Sequence, residues 1–129
     1  MAVLLAYNGK PEGEKVLDYA IGYATAYSSP LYILSSVASK DVVDSENELN
    51  HIKGYLDTAR QKASGRGVET FTLIGVGPPG EEIIAAAERI DAEAIIVGYS
   101  DKTAISRVLL GTVSEHVLRK SGRTVIIVH

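Results

Sequence analysis

Five short apolar runs alternate with longer stretches whose apolar residues recur every three or four positions, and this alternation constrains the fold more than any other feature of the chain. The runs are Ala2 to Tyr7, Leu31 to Val37, Val68 to Val76, Ala94 to Val97 and Thr124 to His129. Most are apolar throughout rather than alternating with polar residues, which marks strands covered on both faces. Between them, Val16, Leu17, Ala20, Ile21 and Ala24 form the stripe of a helix over 12–27. Leu49, Ile52, Leu56, Ala59 and Ala63 form a second over 46–64, and Ile83, Ile84, Ala87 and Ile90 a third behind Glu81 and Glu82. Val113, Val117 and Leu118 mark a last helix. Turn residues punctuate the pattern at Asn8-Gly9, at Ser28-Ser29-Pro30, at Gly65 and Gly67, and from Gly77 to Gly80. Strands that alternate with helices predict an α/β domain whose parallel sheet is covered on both faces through right-handed crossovers. Ligands of such sheets bind beyond the carboxyl ends of the strands, where strand order reverses. The loops after Tyr7, Val37, Val76 and Val97 are therefore the places to look for a site.

Composition narrows what such a domain does. The chain has 129 residues, 46% apolar and 22% charged, which suits one globular domain over 1–129 with one core. Thirteen Lys and Arg against sixteen Asp and Glu give a mildly acidic surface, without the positive field that binding to nucleic acid requires. There is no cysteine, so disulfides, thiol nucleophiles and Cys-based zinc sites are excluded, and a reducing cytoplasm is the expected setting. The apolar start from Met1 to Tyr7 lacks a basic flank and meets Asn8-Gly9 too early for a signal peptide. No apolar run is long enough to span a bilayer.

The stretch from Gly98 through Asp101 and Lys102 to Gly111, Thr112, Val113 and Ser114 carries glycines at both ends of a loop that enters a helix. Glycine lets a backbone approach an anion closely, and the unpaired N–H groups of a helix start favour negative charge. Lys102 and Arg107 add positive charge nearby. Thr112 and Glu115 also have the spacing of a capping box, which would satisfy the helix start with no ligand at all.

With these residues the chain resembles the universal stress protein family, whose nucleotide signature is glycine, two residues, glycine, nine residues, then glycine followed by serine or threonine. Gly98, Gly111 and Thr112 match at the right spacing, while Asp101 stands where the middle glycine is expected. The likeness extends to the segment from Gly77 to Ile84 and to the fourth strand from Glu93 to Gly98. It implies a three-layer Rossmann-like domain, a five-stranded parallel sheet of order 3-2-1-4-5 with four helices. It also implies a site for ATP or a related adenine nucleotide, with or without Mg2+, in a regulatory module of a stress response. The site would be formed by Ala6, Tyr7 and Asn8 after the first strand, Val37 after the second, and Gly98, Asp101, Lys102, Gly111, Thr112, Val113 and Ser114. Two of these depart from the pattern. Asn8 replaces an aspartate that often contacts the base, though an amide still offers a donor and an acceptor. Asp101 brings negative charge where phosphate is expected, unless Lys102 or a metal ion compensates.

Little else in the chain carries chemistry. His51, His116 and His129 are scattered, without metal-ligand spacing, and read as surface or packing residues. Tyr19, Tyr23 and Tyr27 form a stripe at helical spacing beside the apolar face of the first helix, and core-edge packing accounts for it. Asp41, Asp44, Glu46 and Glu48 gather before the second long helix, where a helix start and ordinary solvation explain acidic residues without a metal. With no obvious base and no Gly-x-x-x-x-Gly-Lys-Ser/Thr loop, the chain reads as a binding module rather than an enzyme, slow hydrolysis of bound ATP aside. In the order 3-2-1-4-5 the last strand is an edge, and an unpaired edge invites a partner. A homodimer through Thr124 to Val128 follows, as relatives of this family often form. The alternative reading is a dimeric interaction module with a degenerate pocket that binds no nucleotide.

Overall fold

The computed structural model of the chain describes residues 1–37, 39–99 and 112–129. Strands β1 (Ala2–Ala6), β2 (Leu31–Val37), β3 (Thr70–Val76), β4 (Ala92–Gly98) and β5 (Thr124–Val128) form one sheet in the order β3-β2-β1-β4-β5. Every neighbouring pair is parallel. Strand β1 lies at the centre, with Leu5 level with Ile33 of β2 on one side and Ile96 of β4 on the other. The helices are α1 (Glu14–Tyr27), α2 (Lys40–Asp44), α3 (Glu46–Gly65), α4 (Pro79–Ile90) and α5 (Thr112–Lys120). The expected three layers, sheet order and four long helices are all present.

Side chains of successive strand residues point to opposite faces, so each strand serves two cores. Val3, Leu5, Ile33 and Ile96 meet Leu17, Ala20 and Ile21 of α1 and Ile52, Leu56 and Ala59 of α3 on one face. Leu4, Leu34, Ile95 and Val97 meet Ile83, Ala86 and Ala87 of α4 and Val117 of α5 on the other. Burying each large side chain removes apolar area worth about 1.5–3 kcal/mol from water.

Element ends differ from the sequence reading where local bonding overrides hydrophobic pattern. Val68, expected to open β3, is buried and its N–H donates to the Ala63 carbonyl, so it closes α3 instead. Strand β4 starts at Ala92, two residues early, because Asp91 adopts a left-handed conformation (φ 50°) that ends α4 and turns the chain straight into the sheet. The first helix is preceded by a 3-10 turn at Pro11–Gly13. The short helix α2, which holds Asp41 and Asp44, has too few residues to show a period.

Helices α1 and α3 are also tied by charge. Lys62 of α3 lies 2.7 Å from Asp18 and 3.1 Å from Glu14 of α1, and Arg66 lies 3.4 Å from Asp18. The hydrogen bond from Lys62 lowers the pKa of Asp18, while Tyr7 first and Lys62 second lower that of Glu14. A carboxylate with a lowered folded pKa stabilises the fold above its unfolded value and loses that contribution as pH falls through the lowered one. These groups are about half exposed, so each pair is worth only about 0.2–1 kcal/mol. Lys62→Met, which breaks two such pairs, is therefore expected to cost less than about 2 kcal/mol at neutral pH. In urea titrations across pH, that difference should vanish near pH ~2; a difference that persists unchanged in acid would contradict it.

Candidate functional site

The sheet order reverses between β1 and β4, and the chain leaves both strands at the same end of the sheet. On the β1 side, Tyr7 and Asn8 diverge. The Tyr7 ring is buried in the core beside α1, and its hydroxyl donates to Glu14 Oε1 at 2.7 Å. Burial first and this carboxylate second push the phenol well above its ordinary range, so it remains a protonated donor. Asn8 is exposed, and its Oδ1 accepts the Lys10 N–H at 2.9 Å. Gly9 follows in the left-handed region (φ 75°), pressed against Tyr55 of α3. Tyr55 stands edge-on to Tyr7, with centroids 5.9 Å apart, and hydrogen-bonds through its hydroxyl to Ser35 of β2. The loop after β1 is thus shaped by a tyrosine from α3 that no local sequence pattern marks.

On the β4 side, Gly98 is exposed at the strand tip. The buried Ser114, in the first turn of α5, donates from Oγ to the Gly98 carbonyl at 3.4 Å, which holds the start of that helix against the end of β4. A Cβ on Gly98 would lie 3.0 Å from Cγ2 of Val16, so this glycine also lets α1 pack closely on the strand. Just beyond, the Tyr99 N–H donates to Val128, and the Tyr99 ring stacks on His129 at 4.8 Å. On the far side of β1, the Gly77 N–H donates to the Val37 carbonyl at 2.8 Å, joining the ends of β2 and β3.

The expected site residues therefore divide. Asn8 and Gly98 are exposed at the ends of β1 and β4, and Ser114 is buried with its hydroxyl on Gly98. Ala6, Tyr7, Val37 and Val113 place their side chains in the two cores, leaving backbone atoms for any ligand. Thr112 opens α5, and Glu115 pairs with Arg119 at 3.0 Å. Asp101, Lys102 and Gly111 lie outside the described residues. The histidines are dispersed: His51 is edge-on to Tyr55, His116 packs against Gly80 of α4, and His129 stacks on Tyr99. Among the described residues, no group of three or more His, Cys, Asp or Glu could hold a metal ion. Tyr23 packs against the core while Tyr19 and Tyr27 are exposed.

Two clefts lie elsewhere. One, about 310 Å³, is lined by Ser28, Ser29, Pro30 and Glu69 at the opposite, amino end of β2 and β3. The other, about 530 Å³, runs between Lys53 and Asp57 of α3 and Thr72 and Ile74 of β3. Neither is at the strand reversal.

Comparison with known proteins agrees with this architecture. A universal stress protein of Methanocaldococcus jannaschii is 34% identical over 70% of the chain, a match that spans 59% of that relative's length. The solved structure of a universal stress protein from Archaeoglobus fulgidus in complex with dAMP covers 100% of this chain and 98% of its own at a TM-score of 0.82 and 23% identity. A universal stress protein in complex with cAMP covers 100% of this chain and 96% of its own at 0.81 and 24%. At those identities the two structures speak to the fold, whereas the model of the universal stress protein family matches over residues 1–129. The chain belongs to the universal stress protein family.

Proposed function

We propose that the chain is a nucleotide-binding regulatory module of a cytoplasmic stress response, taking ATP or a related adenine nucleotide at the crevice between β1 and β4. The observation that carries this reading is the bond from Ser114 Oγ to the Gly98 carbonyl. It sets the amino end of a nine-residue helix beside an exposed glycine at the strand reversal. Unpaired N–H groups and the helix dipole favour a phosphate there. The dAMP and cAMP complexes of similar proteins lend support to an adenine nucleotide as the ligand. Ala6, Tyr7, Asn8 and Val37 form the base side, and Gly98, Asp101, Lys102, Gly111, Thr112, Val113 and Ser114 the phosphate side. Among the described residues no helix is long and apolar enough to cross a membrane.

Mass spectrometry of the gently purified protein tests the reading without a guess at the nucleotide. A co-purified purine nucleotide is expected, and its absence at every loading would count against it. Asp101 gives a second test. Removing one negative charge beside phosphate in Asp101→Gly is expected to tighten ATP binding by about tenfold. An unchanged affinity in calorimetric titration would separate Asp101 from the site. The module binds rather than turns over its ligand, apart from slow hydrolysis.

A second reading, a dimeric interaction module, is favoured by β5. This edge strand carries partly buried Val125, Ile126, Ile127 and Val128 and has β4 as its one neighbour among the described residues. A homodimer that pairs Thr124 to Val128 with its symmetry mate would cover that edge. Sedimentation at micromolar concentration is expected to give a dimer, and a monomer there overturns this part of the account.

A further inference from the structure

The cleft of about 310 Å³ at the amino end of β2 and β3 is walled by the closing turns of two helices. Helix α1 ends at Ser28 (φ 52°), where the Ser28 and Ser29 N–H groups fold back onto the Thr25 and Ala24 carbonyls. Helix α3 ends in the same manner, with the Gly67 and Val68 N–H groups on the Ser64 and Ala63 carbonyls. Between them the Leu31 N–H donates to the Glu69 carbonyl, and Pro30 has no N–H to offer. The Thr25 hydroxyl donates to the Ile21 carbonyl at 2.8 Å, and that of Ser29 to Glu93. These donors are all turned inward. The wall is left rich in oxygen lone pairs, since each carbonyl and hydroxyl oxygen has two.

Charge in the cleft has one sign. A helix C-terminus carries a partial negative charge, and two of them meet here. Helix α1 has no basic residue in its last turn, while Lys62 and Arg66 at the end of α3 are drawn away to Asp18 at 2.7 and 3.4 Å. Glu69 adds an exposed carboxylate at the rim, and no Lys, Arg or His is among the described residues that line the cleft. We propose that this cleft binds a compact organic cation of the guanidinium class. A guanidinium is the complement of such a wall, with five N–H donors, no acceptor and a fixed positive charge. The volume is that of a small-molecule site, which starts at about 300 Å³. The site is separate from the crevice between β1 and β4, and it stands whether or not that crevice takes a nucleotide.

Titration of the isotope-labelled chain with agmatine, followed by the amide resonances in NMR, tests the site residue by residue. Saturable shifts are expected at Ser28, Gly67 and Glu69, with Gly98 at the far end of the sheet unmoved. N-butylurea, which keeps the planar N–H donors and lacks the charge, is expected to bind at least about fivefold more weakly. Glu69→Gln removes the rim carboxylate from an exposed position, so the variant keeps its fold and should lose about fivefold in affinity for agmatine. Shifts that do not saturate, or that spread over the acidic surface without favouring the cleft, overturn the proposal. Equal affinity for agmatine and N-butylurea, or a Glu69→Gln variant that binds agmatine as tightly as the wild type, overturns it as well.

Discussion

Replacing Gly9 with alanine is expected to destabilise the chain by about 2–4 kcal/mol, with two separable causes. Gly9 has φ 75°, a conformation that costs an L-residue about 1–2 kcal/mol. Its new Cβ would also lie 2.5 Å from Cγ of Tyr55 and 2.6 Å from Cδ2, at the root of the ring rather than at its mobile end. The ring has little freedom to yield, because its hydroxyl is bonded to Ser35 and its edge meets Tyr7. Overpacking of this kind costs about 1–3 kcal/mol. Adding Tyr55→Ala should remove the steric part and leave the backbone part, giving a favourable coupling above about 0.5 kcal/mol in a double-mutant cycle by urea denaturation. A Gly9→Ala variant as stable as the wild type would show that the loop after β1 is not held as described. The same variant should weaken nucleotide binding, since the displaced loop carries Asn8.

Leu5→Ala should be comparably damaging, through a cavity rather than a clash. Leu5 is 0% exposed in the central strand, level with Ile33 and Ile96, so strands on both sides limit collapse around the missing atoms. Large-to-small changes at such sites cost about 2–5 kcal/mol, a large share of the roughly 5–15 kcal/mol that stabilises a typical domain. The melting temperature of a chain this size should fall by roughly 10 °C or more. A fall of a degree or two would mean that β1 is not the core of the sheet.

Hydrophobic period made the architecture legible in the sequence. The continuous run at Ala2 to Ala6 and the stripe from Val16 to Ala24 each bury the residues that their patterns select. The rest depends on contacts between distant parts of the chain. Glu93 breaks the apolar pattern at the start of β4, yet it is accommodated by a hydrogen bond from Ser29, sixty-four positions away in sequence. Gly98 was legible as a residue that admits an anion; that it also admits Val16 required the packing of α1 on β4. For Asn8 the sequence indicated both a donor and an acceptor, and only the turn at Lys10 reveals that the acceptor is already engaged. Tyr55 lies in the middle of a long helix, and its place beneath Gly9 follows from how α3 crosses the sheet rather than from any motif.

The central claim, a nucleotide held where β1 and β4 diverge, is tested most directly by calorimetric titration of the purified chain with ATP and magnesium, paired with thermal melts. Saturable binding of one nucleotide per chain is expected, with a stabilisation of about 2.7 kcal/mol when ligand reaches a hundred times its dissociation constant. No heat and no shift in melting temperature at millimolar ATP would contradict the claim and leave the β5 edge as the working surface of the protein.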